Sequence, residues 1–403
     1  MVNMMSMYIK RYLEDLVLDS LEKNPVTVIT GPRQCGKSTL ARNILKRRSN
    51  AVFLDLEKPS DLVKLDNAEW FLQSQKDKLI VLDEIQRNPG IFPLIRSLCD
   101  EWQGNGRFLI LGSASRDLLQ QSSESLAGRV SYKRLTPFLL SETEDKYSLN
   151  DYICRGGFPR SLLAKDDQSS AGWLDDFIST FLERDLLLWS GFSPSTMRRL
   201  WQMTAHNNGQ TINYSSFGNS LGVSNTTIRN YIDLLNGTFM VDILPAYHTN
   251  FGKRIIKAPK VYISDTGVTA RLLGIRGFDQ ISGHYVFGSL WESVVLTNIK
   301  GHMPEVNLSF FRTSNGAEID IVAETEKGVY AIECKSSLSP KLNKGNRFAI
   351  DTIRPDHTFI VAPVEKGWSV DERTDVLSVR ELIKYIGDNS RKPAKKTLED
   401  PSA

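Results

Sequence analysis

A β-branched segment that runs directly into a glycine-rich loop and then a helix constrains this chain more than any other feature. Residues 26–30 are the apolar segment, residues 31–39 read GPRQCGKST, and residues 40–48 favour a helix. The spacing G-x-x-x-x-G-K-S between a strand and a helix is typical of a phosphate-binding loop, because glycines let backbone N–H groups close around phosphate oxygens. The motif predicts an α/β fold with a nucleotide at the edge of a parallel sheet.

Each part of this loop has an expected role. We expect Lys37 to reach the β- and γ-phosphates and the Ser38 hydroxyl to ligate Mg²⁺. ATP and Mg²⁺ are therefore the expected cofactors. The residues expected to line the nucleotide are Gly31, Pro32, Arg33, Gln34, Cys35, Gly36, Lys37, Ser38 and Thr39.

A second apolar segment ends in two acids. Residues 78–82 read KLIVL and are followed by Asp83 and Glu84. Carboxylates that emerge at the carboxyl edge of a parallel sheet lie where such sheets bind ligands. We expect Asp83 to hold Mg²⁺ through water and Glu84 to activate the attacking water, which favours hydrolysis over passive nucleotide binding. The plainer alternative is that the two acids begin a loop or cap a helix.

Two further apolar segments, residues 51–55 and 107–113, bring the predicted sheet to at least four parallel strands. With these motifs the sequence resembles the AAA+ ATPases. The resemblance implies that Ser113 is a polar sensor beside the Mg²⁺-binding acids, and that Arg129 reaches a γ-phosphate from a neighbouring subunit of a homo-oligomer. Arg134 and Arg184 are alternatives, and an ion-paired surface arginine remains the competing interpretation.

The middle of the chain predicts a helical lid and then a helix-turn-helix. Gly156-Gly-Phe-Pro159 is hinge-like, and Phe177, Phe181 and Leu182 have helical spacing. The acidic and basic run 183–185 is either a sensor of nucleotide state or a charged helix surface. Residues 214–235 predict a helix, a tight turn and a second helix capped by Ser224.

The second of these helices carries candidate DNA contacts. Its inward positions are Ile228, Ile232 and Leu235, which leaves hydrogen-bonding side chains exposed near the helix start. Such side chains suit base or phosphate contact in a groove, although winged helices also bind proteins. The candidates are Asn225, Thr226, Thr227, Arg229 and Asn230, with residues 244–247 and 260–263 as a possible wing.

Net charge alone does not favour a nucleic-acid partner, because 50 basic residues face 47 acidic ones, a formal charge of +3. The local balance differs. Between residues 195 and 260 seven basic residues face two acidic ones, Asp233 and Asp242. The seven are Arg198, Arg199, Arg229, Lys253, Arg254, Lys257 and Lys260. This local excess favours DNA contact.

The C-terminal region predicts a helix, three strands, a helix and a further strand. Glu292 lies on the first helix, Asp320 on the second strand, and Glu333 and Lys335 lie two apart on the third, which puts them on one face. This order with D…E-x-K resembles the PD-(D/E)XK nuclease fold. In that setting Asp320 and Glu333 would ligate Mg²⁺, Lys335 would activate water, and Glu292 would add a contact.

Two alternatives limit the nuclease interpretation. Glu318 can exchange roles with Asp320, because it lies on the same face two residues earlier. The fold can also serve binding alone, with the charged residues forming an internal ion-pair network. Many such nucleases carry a Gln or Tyr on the helix after the lysine, and this sequence has no clear equivalent.

The whole chain from about residue 8 to 386 resembles a prokaryotic family that joins an AAA+ ATPase to a winged helix and a PD-(D/E)XK-like region. The predicted domains are a P-loop core at 1–145, a helical lid at 146–194, a winged helix-turn-helix at 195–262, a nuclease-like α/β domain at 263–386 and a disordered tail at 387–403.

The four cysteines are scattered and lack a metal-binding spacing, which fits a reducing compartment. No apolar run is long enough for a membrane helix. The sequence therefore predicts a cytoplasmic protein with no membrane partner. The leading hypothesis is a Mg²⁺-dependent ATPase that remodels or translocates duplex, forked or branched DNA, with a C-terminal domain that binds or cleaves it. The alternative is an ATP-switched protein whose winged helix binds a protein partner and whose nuclease-like fold is inactive.

Overall fold

The computed structural model describes residues 8–48, 50–113, 125–185, 193–247 and 256–390, with the side chains of 113, 184, 185 and 388–390 left aside. Lys253 and Arg254 of the predicted basic patch lie outside the described residues. The chain divides into two compact units. Unit 1 comprises Met1–Ala205, Tyr214–Asp242 and Ile263–Gln280, and unit 2 comprises His206–Asn213, Ile243–Tyr262 and Ile281–Ala403.

A five-stranded parallel sheet in the order β2-β3-β4-β1-β5 is the centre of unit 1. Its strands are β1 (Val26–Gly31), β2 (Ala51–Asp55), β3 (Leu79–Asp83), β4 (Phe108–Ser113) and β5 (Val130–Arg134). Alternate residues of β3 enter different apolar clusters, since Ile80 and Leu82 pack on one side and Leu79 and Val81 on the other. Both faces of the sheet are therefore covered, which explains the continuous apolar runs in the sequence.

Helices surround this sheet and continue beyond it. In unit 1 they are α1 (Tyr12–Lys23), α2 (Lys37–Leu45), α3 (Pro59–Leu62), α4 (Ala68–Gln73), α5 (Phe92–Trp102), α6 (Leu140–Thr143), α7 (Leu149–Arg155), α8 (Pro159–Leu162) and α9 (Asp167–Thr180). Helix α9 runs on as a π-helix, Phe181–Asp185. Phe177, Phe181 and Leu182 are buried, as the helical spacing predicts.

A helix-turn-helix follows in the predicted place. Helix α10 (Pro194–His206) is followed by strand β6 (Gln210–Thr211), α11 (Tyr214–Leu221), α12 (Asn225–Gly237), β7 (Val241–Leu244) and β8 (Lys260–Ile263). The turn between α11 and α12 is tight: a Cβ at Gly218 would lie 2.7 Å from the Val223 carbonyl oxygen. The three strands form a small sheet in the order β6-β8-β7.

Two short helices follow β8: α13 (Thr266–Leu272) belongs to unit 1, and the boundary between the units falls within α14 (Phe278–Ser282). Asp265 caps α13 by accepting a hydrogen bond from the Val268 N–H at 3.0 Å, and its other oxygen accepts the Gly157 N–H at 2.8 Å. The Gly156-Gly157 segment, predicted as a hinge, is thus a packed joint. Residues 263–280, predicted to begin the C-terminal domain, therefore lie with the ATPase core.

Exchange of Asp265 for asparagine tests this joint. Asparagine has one acceptor oxygen where the buried aspartate uses two, so its amide nitrogen would face a backbone N–H. We expect Asp265→Asn to lower the free energy of unfolding by about 2–3 kcal/mol. The matched control is Asp166→Asn, since the exposed Asp166 caps α9 by accepting a hydrogen bond from the Ser169 N–H. Equal melting temperatures for the two variants would show that Asp265 does not stabilise the packing of the Gly156-Gly157 segment.

Unit 2 is built on a six-stranded mixed sheet in the order β13-β14-β12-β11-β10-β9. Strands β9, β10 and β11 are antiparallel neighbours, β11, β12 and β14 are parallel neighbours, and β13 pairs antiparallel with β14. The strands are β9 (Asn307–Arg312), β10 (Glu318–Thr325), β11 (Gly328–Cys334), β12 (His357–Val361), β13 (Trp368–Asp371) and β14 (Thr374–Leu377).

Three helices complete unit 2: α15 (Phe287–His302), α16 (Lys344–Ile353) and α17 (Val379–Ser390). The predicted order of one helix, three strands, a helix and a strand is present, and β13, β14 and α17 follow it. Helix α17 continues to Ser390, so the tail predicted from residue 387 is wrong for its first four residues. Within the described residues, no helix has the length and apolar character to span a bilayer.

Candidate functional site

The P-loop of unit 1 has the backbone geometry that phosphate binding requires. Gln34 and Gly36 adopt positive φ angles of 62° and 101°, and α2 begins at Lys37, immediately after Gly36. At Gly31, which ends β1, an added Cβ would lie 2.1 Å from the Leu135 carbonyl oxygen, so this position requires glycine. The loop therefore turns its backbone and the amino end of α2 toward one place, as an anion site does.

The side chain of Lys37 is held inside the loop. Its ammonium donates hydrogen bonds to the carbonyl oxygens of Gly31 at 2.9 Å and Pro32 at 2.8 Å, and the residue is 5% exposed. These bonds hold the buried ammonium within the predicted phosphate-binding loop. Arg33 lies at the rim, 3.6 Å from Glu57.

The predicted Mg²⁺ ligands are neighbours. The Ser38 hydroxyl hydrogen-bonds to the buried carboxylate of Asp83 at the end of β3. Burial raises the pKa of Asp83, and the Ser38 hydrogen bond opposes that shift. A hydroxyl beside a carboxylate is an oxygen donor pair suited to Mg²⁺, so the residues present fit this ion.

Glu84 follows Asp83 in a left-handed conformation with φ 56°. Such a conformation is strained for a residue with a side chain and recurs at functional sites. Gln86 donates a hydrogen bond to the Glu84 carboxylate, and the Glu84 N–H bonds to Asp83 Oδ1 at 3.0 Å. The carboxylate predicted to activate water is thus held by a neighbouring amide that the sequence pattern did not single out.

Ser113 lies between the two motifs. It is the last residue of β4, which runs between β3 and β1, and it pairs with Gly31. The backbone position is therefore that of the predicted sensor, and the side chain lies outside the described part. Its sensing role stays a prediction.

Arg129 lies at the opposite end of the sheet. It precedes β5, whose first residue pairs with Val26 at the start of β1, so about 16 Å of strand separates it from the P-loop. Its guanidinium forms two bonds to Asp100, at 2.6 and 3.0 Å. Within its own subunit Arg129 is therefore remote from the P-loop. Its contact with the γ-phosphate of a neighbouring subunit remains a prediction.

The alternative arginines are placed differently. Arg134 ends β5, pairs with Thr30, and lies 3.5 Å from Asp242 with its guanidinium over the Phe239 ring. The side chain of Arg184 lies outside the described part, and Glu183 beside it is exposed. The sensor role of residues 183–185 is untested.

A buried arginine that no motif indicated clamps the P-loop. Arg11 Nη1 donates to the Cys35 carbonyl at 3.0 Å, and Nη2 donates to the Thr136 carbonyl at 2.7 Å and the Pro137 carbonyl at 3.1 Å. Its Nε bonds to Glu142 at 3.0 Å, and both side chains are about 95% buried. One guanidinium therefore ties the nucleotide loop to the segment that leaves β5.

The predicted DNA-contact residues surround the start of α12. Asn225, Thr226, Arg229 and Asn230 are exposed. Thr227 is half-buried, which corrects its predicted exposure, and its N–H and hydroxyl both bond to the cap residue Ser224. The predicted inward residues of the helix, Ile228, Ile232 and Leu235, are buried.

Some of these exposed side chains have local partners. Asn225 donates to the Ser215 hydroxyl at 3.0 Å, and the Arg229 guanidinium lies 4.1 Å from the centre of the Tyr214 ring. Both contacts join α12 to α11. The exposed start of α12 is thus a firmly positioned polar surface.

The acidic residues of unit 2 gather around a lysine. The Lys260 ammonium lies 2.7 Å from Glu318 Oε1, 3.3 Å from Asp320 Oδ1 and 3.6 Å from Glu292 Oε2. Tyr262, two residues along β8, donates its hydroxyl to Glu292 at 2.9 Å. Lys260 is 1% exposed, so its charge, counted in the local basic excess, is buried in this cluster and is not available to DNA.

Glu333 and Lys335 form a second pair at the end of β11, with Lys335 Nζ 2.5 Å from Glu333 Oε1. In the described part of the chain, Glu333 Oε2 is buried without a hydrogen-bond donor. Asp320 Oδ2 accepts the Cys334 N–H at 3.0 Å. Burial first, and then the charge of Asp320, raises the pKa of both Glu292 and Glu333.

The lysine ammonium itself stays charged. Burial alone would lower the pKa of Lys260, but Tyr262 and the surrounding carboxylates outweigh burial and raise it well above its ordinary value. The same balance raises the pKa of Lys335 beside Glu333.

These residues do not fit a divalent metal ion. Across the described ranges, no three His, Cys, Asp or Glu side chains are grouped to hold one. An ion bound by Asp320 and Glu292 would lie about 4–5 Å from the Lys260 ammonium, a repulsion of roughly 7 kcal/mol at an effective dielectric constant of 20. The predicted ligand pair of Asp320 and Glu333 thus lies in a cluster that already contains a cation.

Three family models match successive parts of the chain. A family model described as an AAA domain matches residues 23–144, which include all five strands of the parallel sheet. A domain of unknown function (DUF8612) matches residues 146–279, and another (DUF4143) matches residues 287–382. The fold and the P-loop site together define an AAA+ P-loop ATPase.

The uncharacterized protein Rv2008c of Mycobacterium tuberculosis (strain ATCC 25618 / H37Rv) is 38% identical over 365 residues, which are 90% of this chain and 82% of that protein. The chain belongs to the same family as this mycobacterial protein.

Two solved structures are among those that match this chain. The Walker-type ATPase PABY2304 of Pyrococcus abyssi is 14% identical with a TM-score of 0.46, covering 66% of this chain and 96% of that one. The Thermotoga maritima RuvB Holliday junction branch migration motor is 20% identical with a TM-score of 0.31, covering 59% and 90%.

Proposed function

We propose that this ATPase acts on DNA, coupling hydrolysis to the remodelling or translocation of duplex, forked or branched DNA. The observation that carries the proposal is the exposed polar start of α12, on a helix-turn-helix within the same compact unit as the P-loop. The element order α10, β6, α11, α12, β7, β8 is that of a winged helix and supports the proposal.

The residues of the P-loop site suggest how hydrolysis proceeds. Ser38 and Asp83 would hold Mg²⁺, which neutralises charge on the phosphates. Lys37 would contact the β- and γ-phosphates. Glu84 would accept a proton from a water that attacks the γ-phosphorus, while the bond from that phosphorus to the β-bridging oxygen breaks and ADP leaves. Gln86 would orient Glu84 through its hydrogen bond.

An oligomer is part of the proposal. Arg129 is too far along its own sheet to contact its own nucleotide, so a role in catalysis requires the site of another subunit. Its present partner, Asp100, would have to release it. A homo-oligomer with hydrolysis that depends on assembly follows from that role.

The alternative is an ATP-switched protein whose helix-turn-helix binds a protein partner. The hydrogen bonds of the Asn225 amide to Ser215 and of the Thr227 hydroxyl to Ser224 favour it, because these side chains are then structural rather than base-reading. Salt dependence separates the two functions, since phosphate neutralisation makes DNA affinity fall steeply with salt.

The test measures ATP hydrolysis and DNA binding on single-stranded, duplex, forked and four-way DNA at several salt concentrations. We expect DNA to stimulate hydrolysis and Arg229→Ala to weaken binding about tenfold with a shallower salt dependence, because one phosphate or base contact is lost. The matched control is Asn236→Ala, at the exposed far end of the same helix. Absence of binding to every DNA at low salt would favour the protein-partner alternative.

A further inference from the structure

The acidic cluster of unit 2 contains its own cation. The Lys260 ammonium on β8 is within 3.6 Å of carboxylates from α15 and β10, and Lys260 is buried to 1% exposure. Buried lysines are rare unless they are paired, and this one has three carboxylate partners. The three partners are Glu292, Glu318 and Asp320.

The surroundings hold the ammonium in place. Tyr262 lies on the same face of β8 and fixes Glu292 through its hydroxyl. Arg312 approaches the other oxygen of Glu318 at 3.4 Å. The Cys334 N–H holds the other oxygen of Asp320. Each carboxylate that faces Lys260 is thus oriented by a second partner, so the cluster is a built site and not a chance contact.

We propose that the Lys260 ammonium takes the place of the divalent cation that a PD-(D/E)XK nuclease site would hold, so that the C-terminal domain works without metal and does not cut DNA. Lys260 neutralises the carboxylates that metal would otherwise bridge. The proposal does not depend on whether the ATPase remodels or translocates DNA, because it concerns only which cation the acidic cluster binds.

Removing the charge of Lys260 leaves Glu292 and Asp320, within the described residues, without a salt-bridge partner around one position, while Glu318 beside them keeps Arg312. Carboxylate oxygens are the ligands that Mn²⁺ and Mg²⁺ prefer. The variant should therefore acquire a cation site that the natural chain lacks.

The experiment titrates the full-length chain with Mn²⁺ and counts the bound ion by electron paramagnetic resonance, without nucleotide. All variants carry Asp83→Asn to remove metal binding at the ATP site. With natural Lys260 and Asp83→Asn, we expect no Mn²⁺ to bind at the cluster. After Lys260→Met is added, we expect about one bound Mn²⁺ per chain, and Mn²⁺ should raise the melting temperature of this variant by several degrees. Lys257→Met is the matched control, since Lys257 is exposed on the same segment.

Adding Asp320→Asn to Lys260→Met should abolish the gain. Two results would overturn the proposal. One is Mn²⁺ binding by the Asp83→Asn chain with natural Lys260 that is lost when Asp320→Asn is added. The other is a folded Lys260→Met variant that binds no additional Mn²⁺. Mn²⁺-dependent DNA nicking by the natural protein that Asp320→Ala abolishes would also overturn it. The titration with natural Lys260 decides the question even if Lys260→Met fails to fold.

Discussion

Glu84→Gln will lower steady-state ATP hydrolysis by about a hundredfold or more while ATP stays bound. Glutamine preserves the size of the side chain but cannot accept the proton of the attacking water, and removal of a general base commonly costs 10²–10⁴ in rate, on the order of 3–5 kcal/mol. Lys37 and Ser38, the predicted contacts to the phosphates and to Mg²⁺, are untouched by the change. Single-turnover hydrolysis and filter binding of labelled ATP measure the two effects separately.

Lys37→Ala should give the opposite pattern, in which nucleotide binding itself is lost. The Lys37 ammonium is the buried cation of the P-loop, held by the carbonyl oxygens of Gly31 and Pro32. The matched control is Glu101→Gln, an exposed carboxylate on α5 that bonds to Gln73. Near-normal turnover in both Glu84→Gln and Lys37→Ala would remove the hydrolytic role of this site.

The ATP site was largely predictable because its residues are local in sequence. The loop 31–39 and the pair Asp83 and Glu84 each follow an apolar strand, and parallel strands bring their carboxyl ends to one edge. The sequence therefore predicts the sheet, the loop and the Ser38–Asp83 proximity. It does not indicate Gln86, whose contact depends on the left-handed turn at Glu84.

Contacts between residues far apart in the sequence could not be predicted from local patterns. Lys260 is 60 residues from Asp320, and its charge was counted with a basic surface although the fold buries it. Arg11 is 131 residues from Glu142 and belongs to no motif. Charged side chains are mostly exposed, so a local pattern cannot identify the few that tertiary packing buries.

The place of the segment 263–280 was hard to predict for a related reason. It lies in unit 1 through contacts with residues far away in the sequence, such as the hydrogen bond from the Gly157 N–H to Asp265. That contact joins residues 108 positions apart. The helix-turn-helix was predictable because its apolar spacing, Gly222 and Ser224 are local signals.

The second large effect is expected from Arg11. Arg11→Met removes a buried guanidinium that bonds to Glu142 and to the carbonyls of Cys35, Thr136 and Pro137. Breaking a buried ion pair from one side typically costs about 3–5 kcal/mol, because the remaining charge stays buried. We expect the melting temperature of the protein to fall markedly and the P-loop to lose its fixed geometry, so that KM for ATP rises as well.

Control variants separate an effect on the stability of the protein from an effect on the position of the P-loop. Lys10→Ala is the matched control, since Lys10 is exposed and pairs with Asp15. Arg11→Met combined with Glu142→Gln should be less destabilised than the sum of the two single variants, because neither buried charge is then left alone. Because the clamp joins the Cys35 carbonyl to residues 136–137, saturating MgATP should restore stability less well in Arg11→Met than in Lys10→Ala. Equal melting temperatures and equal KM for Arg11→Met and Lys10→Ala would show that the clamp does not position the nucleotide loop.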